Sequence, residues 1–136
     1  MQAESVEISQ SELSEIYSLK TIQSAKIANI SQAVKSNLPT LNKMSRDKGE
    51  EKSKALICAL LIQLNIKIKI KDKLDDNEIE RLADSIILKY GTLKISDLIY
   101  VFNQIADGEV DLFGSLSHRD VMKALKNHLE IRWQIK

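Results

Sequence analysis

Cysteine, proline, glycine and aromatic residues are all scarce in this sequence, and each scarcity excludes something. One Cys rules out an intramolecular disulfide framework, and one Cys with two distant His argues against a tetrahedral zinc site. One Pro and four Gly are too few for the many tight turns of a sandwich or barrel. Only six aromatics stand beside eighteen Ile and seventeen Leu, which points to helices packed through aliphatic stripes. The longest unbroken apolar run, Ala55 to Ile62, is eight residues, far short of a membrane span. No Lys or Arg precedes position 20, the reverse of a signal peptide. What is present suits one domain: 136 residues, 43% apolar and 29% charged, are enough to bury a core. A small, soluble, intracellular, all-α protein is expected, with no membrane association.

A net charge of +1 conceals strong zoning. Residues 1–19 carry Glu4, Glu7, Glu12 and Glu15 and a local charge of −4. Residues 20–73 carry twelve basic residues against four acids, a local +8, and residues 74–136 sum to −3. A segment at +8 can recruit phosphate or an acidic protein surface. Sixteen of the twenty cations are Lys, however, whereas bidentate phosphate or base readout favours Arg. Solvated helix faces would account for the same composition.

The pass along the chain gives three parts: an N-terminal helical arm over 1–38, a linker over 39–53 and a helical core over 54–136. Beyond a frayed start, Leu13, Ile16, Leu19, Ile22, Ile27, Ile30, Val34 and Leu38 recur mostly in steps of three and four. That spacing predicts one amphipathic helix ending before Pro39, about 40 Å long at 1.5 Å per residue. It could fold back on the core, or pair with a second copy of the chain as a homodimer. PTLNKMSRDKGEEKS reads as a hinge, and ALICALLIQL as the central buried helix. Ile66-Lys-Ile-Lys-Ile-Lys71 alternates with period two, which is either an extended segment or a frayed helix end. Asp75 and Glu78 have capping-box spacing, with Leu74 and Ile79 as the hydrophobic staple. Gly91 supplies the stop for that helix. A short helix over about 95–106 closes near Gly108, and Ser117 with Asp120 opens the last helix. A compact bundle of about four helices with a long N-terminal helix is the expected architecture.

Catalytic constellations are missing from the pattern: no Walker loop, nucleophile elbow, HExxH or CxxC pair occurs. Cys58 reads as a small buried hydrophobe, and His118 as a solvated residue of a first helical turn. Asp107, Glu109 and Asp111 mimic the alternate acids of a calcium loop, but Leu112 and His118 stand where an EF-hand needs Gly and Glu. No enzyme activity, metal or cofactor is expected. Two macromolecule-binding features remain. The first is the row Lys67, Lys69, Lys71 and Lys73, preceded by Lys43, Arg46, Lys48, Lys52 and Lys54; on one face these would make a phosphate-sized patch. The second is Arg132 with Trp133, the only Trp, either a plug that caps the core or an exposed anchor for a partner.

The stretch from Lys54 to Arg132 resembles an uncharacterised small helical domain family of bacterial phage and mobile-element proteins. The shared pattern runs from ALICALLIQLN through LDDNEIERLADSIILKYGTLKISDLIYVF to the glycine loop and DVMKAL. The resemblance brings no enzyme activity. It implies a small protein that acts on replication or defence machinery. A protein that docks on and modulates a host nucleic-acid-processing complex, for example an anti-CRISPR on a CRISPR effector, is the expected function. A nucleic-acid-binding accessory of phage or plasmid replication, using residues 20–73 directly, is the alternative.

Overall fold

The computed structural model describes residues 27–110, 112 and 114–134. Among them the chain is all-helical, with six helices: α1 (Ile30–Lys35), α2 (Leu41–Lys48), α3 (Glu50–Lys67), α4 (Asp76–Tyr90), α5 (Ile95–Ala106) and α6 (His118–Arg132). Among the described residues, pairing of the strand type is limited to two isolated bridges, Thr40 with Lys94 and Asp72 with Ser115. None of these helices is long and apolar enough to cross a membrane.

Four of them, α3 to α6, fall in the expected core, whereas α1 falls in the expected N-terminal helix and α2 in the expected linker. Most of the expected N-terminal helix, and any homodimer built on it, lies outside the described residues. Within 27–38 the helix is α1 alone, which starts where the Asn29 side chain accepts from the Gln32 N–H at 2.9 Å. It stops at Ser36, whose backbone turns extended ahead of Pro39. Residues 39–53, expected as a linker, are instead helical and packed. Thr40 caps α2 by accepting from the Lys43 N–H at 3.0 Å, and Leu41 and Met44 are buried. Gly49 alone joins α2 to α3, at φ 96° and ψ 150°, a backbone region that is essentially open only to glycine.

The two capping boxes form as their spacing predicts. Asp75 accepts from the Glu78 N–H at 2.8 Å while Glu78 accepts from the Asp75 N–H at 3.1 Å. Ser117 and Asp120 repeat the exchange at 3.3 and 3.1 Å. The staple residues Leu74, Ile79, Leu116 and Val121 are all buried. Gly91 ends α4, but in a right-handed conformation at φ −58°; a Cβ there would overlap the side-chain amide of Asn42. Close approach of the exposed Asn42 side chain, not a left-handed turn, is what a larger residue would meet there.

The most enclosed helix is α5 rather than the apolar run in α3. Ile95, Leu98, Ile99, Val101, Phe102 and Ile105 are buried where α5 packs against α1, α3 and α6. In α3 the apolar residues circle the helix, so Ile62 is left 47% exposed while Ile57 and Leu61 are fully buried. Burying each such Leu or Ile contributes about 1.5–3 kcal/mol. Residues 33–42 are stitched to the start of α5: Ser96 Oγ donates to the Ala33 carbonyl at 2.6 Å, and Lys94 Nζ donates to the Val34 and Ser36 carbonyls, both at 2.8 Å. The Leu41 N–H adds a bond to the Leu93 carbonyl at 2.9 Å.

Candidate functional site

Beyond α3 the backbone turns extended at Ile68, and the alternation of the sequence becomes a division of faces. Ile68 is buried and Ile70 packs half-buried against the core, while Lys67, Lys69, Lys71 and Lys73 are all exposed. The segment is fastened at both ends. Asn65 holds Leu74 through two bonds, its Nδ2 to the Leu74 carbonyl at 2.8 Å and the Leu74 N–H to its Oδ1 at 3.2 Å. The Leu116 N–H donates to the Asp72 carbonyl at 2.8 Å. Four lysines thus sit on a pinned edge rather than on a frayed helix end. Ile66, 74% exposed, projects from the last turn of α3 at the same end of the molecule, and Ile62 lies one helical turn before it.

The other basic residues do not join this edge. Lys43, Arg46, Lys48, Lys52 and Lys54 belong to α2 and the first turns of α3, so the length of α3 separates them from Lys67 by about 22 Å between Lys52 and Lys67. The single patch expected from the sequence therefore divides in two. Part of the second group is also occupied: Lys43 pairs with Asp47 at 3.0 Å within α2, and Lys54 with Asp84 of α4 at 3.2 Å. The hydrogen bond that Lys54 donates to the Asp84 carboxylate raises the Lys54 pKa.

The two residues of the C-terminal pair part ways. Trp133 is 70% exposed and plugs nothing. Arg132 turns inward, and its Nε donates to Asp97 Oδ2 at 3.1 Å. Asp97 is fully buried in the first turn of α5, where it also accepts from the Lys94 N–H at 2.8 Å and meets His128 Nε2 at 2.8 Å. With two other donors on the carboxylate, it acts as the acceptor and His128 Nε2 carries the proton. Tyr100 leans against the His128 ring, with centroids 5.6 Å apart. Sequence reasoning missed this cluster. The available signal was that His128 and Arg132 continue the Val121–Leu125 stripe of α6, so both had to face the interior.

Above His128, between α5 and α6, runs a groove of about 850 Å³ that Ile30 of α1 and the 109–110 turn also border. Cys58 is half-buried, and burial pushes its thiol pKa up, away from a nucleophile's range. His118 is half-buried at the start of α6. Among the described residues no three of His, Cys, Asp and Glu are grouped to hold a metal ion. No protein-family model, curated protein or solved structure matches the chain.

Proposed function

We propose that this chain is a non-enzymatic binding protein that docks its 67–73 edge on an acidic surface of a host nucleic-acid-processing complex and modulates it. The carrying observation is the pinned edge itself, which presents four exposed lysines with none of them in an ion pair among the described residues. Like charges this close repel one another, so an acidic surface beside them lowers the free energy of the edge. The apolar Ile62 and Ile66 at the same end favour a protein as the partner, since a phosphate backbone offers an isoleucine nothing to pack against. The phage and mobile-element context rests on the resemblance of residues 54–132. An anti-CRISPR acting on a CRISPR effector is one member of the class this reading describes. Direct nucleic-acid binding is the second reading, and the same four lysines favour it.

The test is capture from a nuclease-treated bacterial lysate, comparing the wild type with K67Q/K69Q/K71Q/K73Q. The proposal expects a protein retained by the wild type and lost with the quadruple change. Capture that disappears on nuclease treatment supports the second reading. Capture that is equal for both proteins contradicts both.

A further inference from the structure

We infer that the groove between α5 and α6 is a binding site for a small amphipathic acid: an apolar, ring-sized body carrying one anionic group and one N–H or O–H donor. Its volume, about 850 Å³, lies within the range of roughly 300–1,000 Å³ typical of ligand cavities. The floor is a built polar group. His128 is only 4% exposed, and its ring is fixed by Asp97, which Arg132 and the Lys94 N–H hold in turn. Nε2–H is committed to Asp97, so Nδ1 is left with a lone pair. Among the described residues nothing hydrogen-bonds Nδ1, yet no buried side-chain polar atom lacks a partner. Nδ1 is therefore not sealed in the core. It opens toward the groove that His128 lines and asks for a donor from whatever enters.

The walls and rim supply the rest of the specificity. Tyr100, Val101, Val110 and Ile131 give an apolar lining on both sides. Arg119 and Lys123 stand one turn apart on α6, both exposed at the rim, and neither is in an ion pair among the described residues. Of the two acids in the lining, Asp120 already accepts from the N–H and hydroxyl of Ser117. Asp120 keeps its charge, so the rim carries two acids and two cations, and an anionic group is met there by Arg119 and Lys123 acting together. Apolar body, buried acceptor and paired cations together define the ligand's chemistry.

The probe is 1-anilinonaphthalene-8-sulfonate, which carries a fused ring, an N–H and a sulfonate, followed by fluorescence titration of the full chain. We expect saturable one-to-one binding that R119E/K123E weakens at least tenfold and A124W, which fills the groove, abolishes. W133S and I66S, on exposed apolar residues elsewhere, should leave it unchanged. The side-chain ¹⁵N resonances of His128 should shift on addition of the probe. Should A124W fail to fold, the rim pair decides alone, since both residues are exposed. Absence of saturable binding overturns the inference, as does binding that R119E/K123E leaves intact or that W133S or I66S removes.

Discussion

Asp97 has the most at stake of any single residue, because one buried carboxylate accepts from His128, Arg132 and the Lys94 backbone. Asp97→Ala leaves those donors without an acceptor and should cost about 3 kcal/mol in denaturant unfolding, the lower end for breaking a buried pair. Arg132→Met should cost clearly less, since the guanidinium keeps some access to water and the Met retains most of the packing. Equal losses would mean that the cluster does not hold α5 and α6 together. Gly49→Ala should cost about 1–3 kcal/mol through the backbone alone, because nothing lies within 4 Å of where its Cβ would stand. For Gly91→Ala the obstacle is a side chain, so Asn42→Gly in the same protein should restore most of the loss. Failure of that rescue in thermal melts would relocate the cause to the backbone. Both glycines stand out in the sequence as breaks, but the reason each must be glycine does not. The conformation of Gly49 depends on two helices meeting there, and the crowding at Gly91 depends on a residue 49 positions away. The Asp97–His128 pair was hidden for the same reason, being 31 positions apart.

Elements were legible where their signals are local. Both capping boxes and staples are written within six residues of sequence, and Asp75→Ala and Ser117→Ala should each cost about 1 kcal/mol by chemical denaturation. A loss under about 0.3 kcal/mol at both sites would contradict the observed caps. The alternation over 66–71 was readable as faces but not as structure: the helix continues to Lys67, and only beyond it does the chain become extended. α2 escaped notice because Pro39, Gly49 and mixed charge look like a hinge. Thr40 as N-cap, with Leu41 and Met44 three apart, was the overlooked counter-signal. Period alone also misjudged which helix lies deepest. An apolar run marks a helix that can be buried, whereas how deeply it is buried depends on how its neighbours are arranged, which no local pattern encodes.

At the scale of the whole molecule, residues 33–48 are part of the core that the later helices build. A chain starting at residue 50 loses Ala33, Leu41 and Met44 from the interior and leaves Ser96 and Lys94 without their carbonyl acceptors. It should melt broadly or at markedly lower temperature, whereas a chain starting at residue 27 should unfold cooperatively. Cooperative, undiminished unfolding of the shorter chain would restore the boundary at 54 that composition suggests. Charge zoning was visible in the sequence, but its division was not: only the fold reveals that α3 holds the two basic groups apart and leaves the 67–73 edge to act by itself. The most direct measurement is photo-crosslinking in bacterial cells, with a photoreactive amino acid placed at Ile66 or Lys69, and at the exposed Glu80 and Lys126 as controls. Nuclease-resistant protein adducts at Ile66 and Lys69, and none at the controls, are the predicted result. Adducts that collapse with nuclease, or that form only at Glu80 or Lys126, would contradict a protein-docking role for this edge.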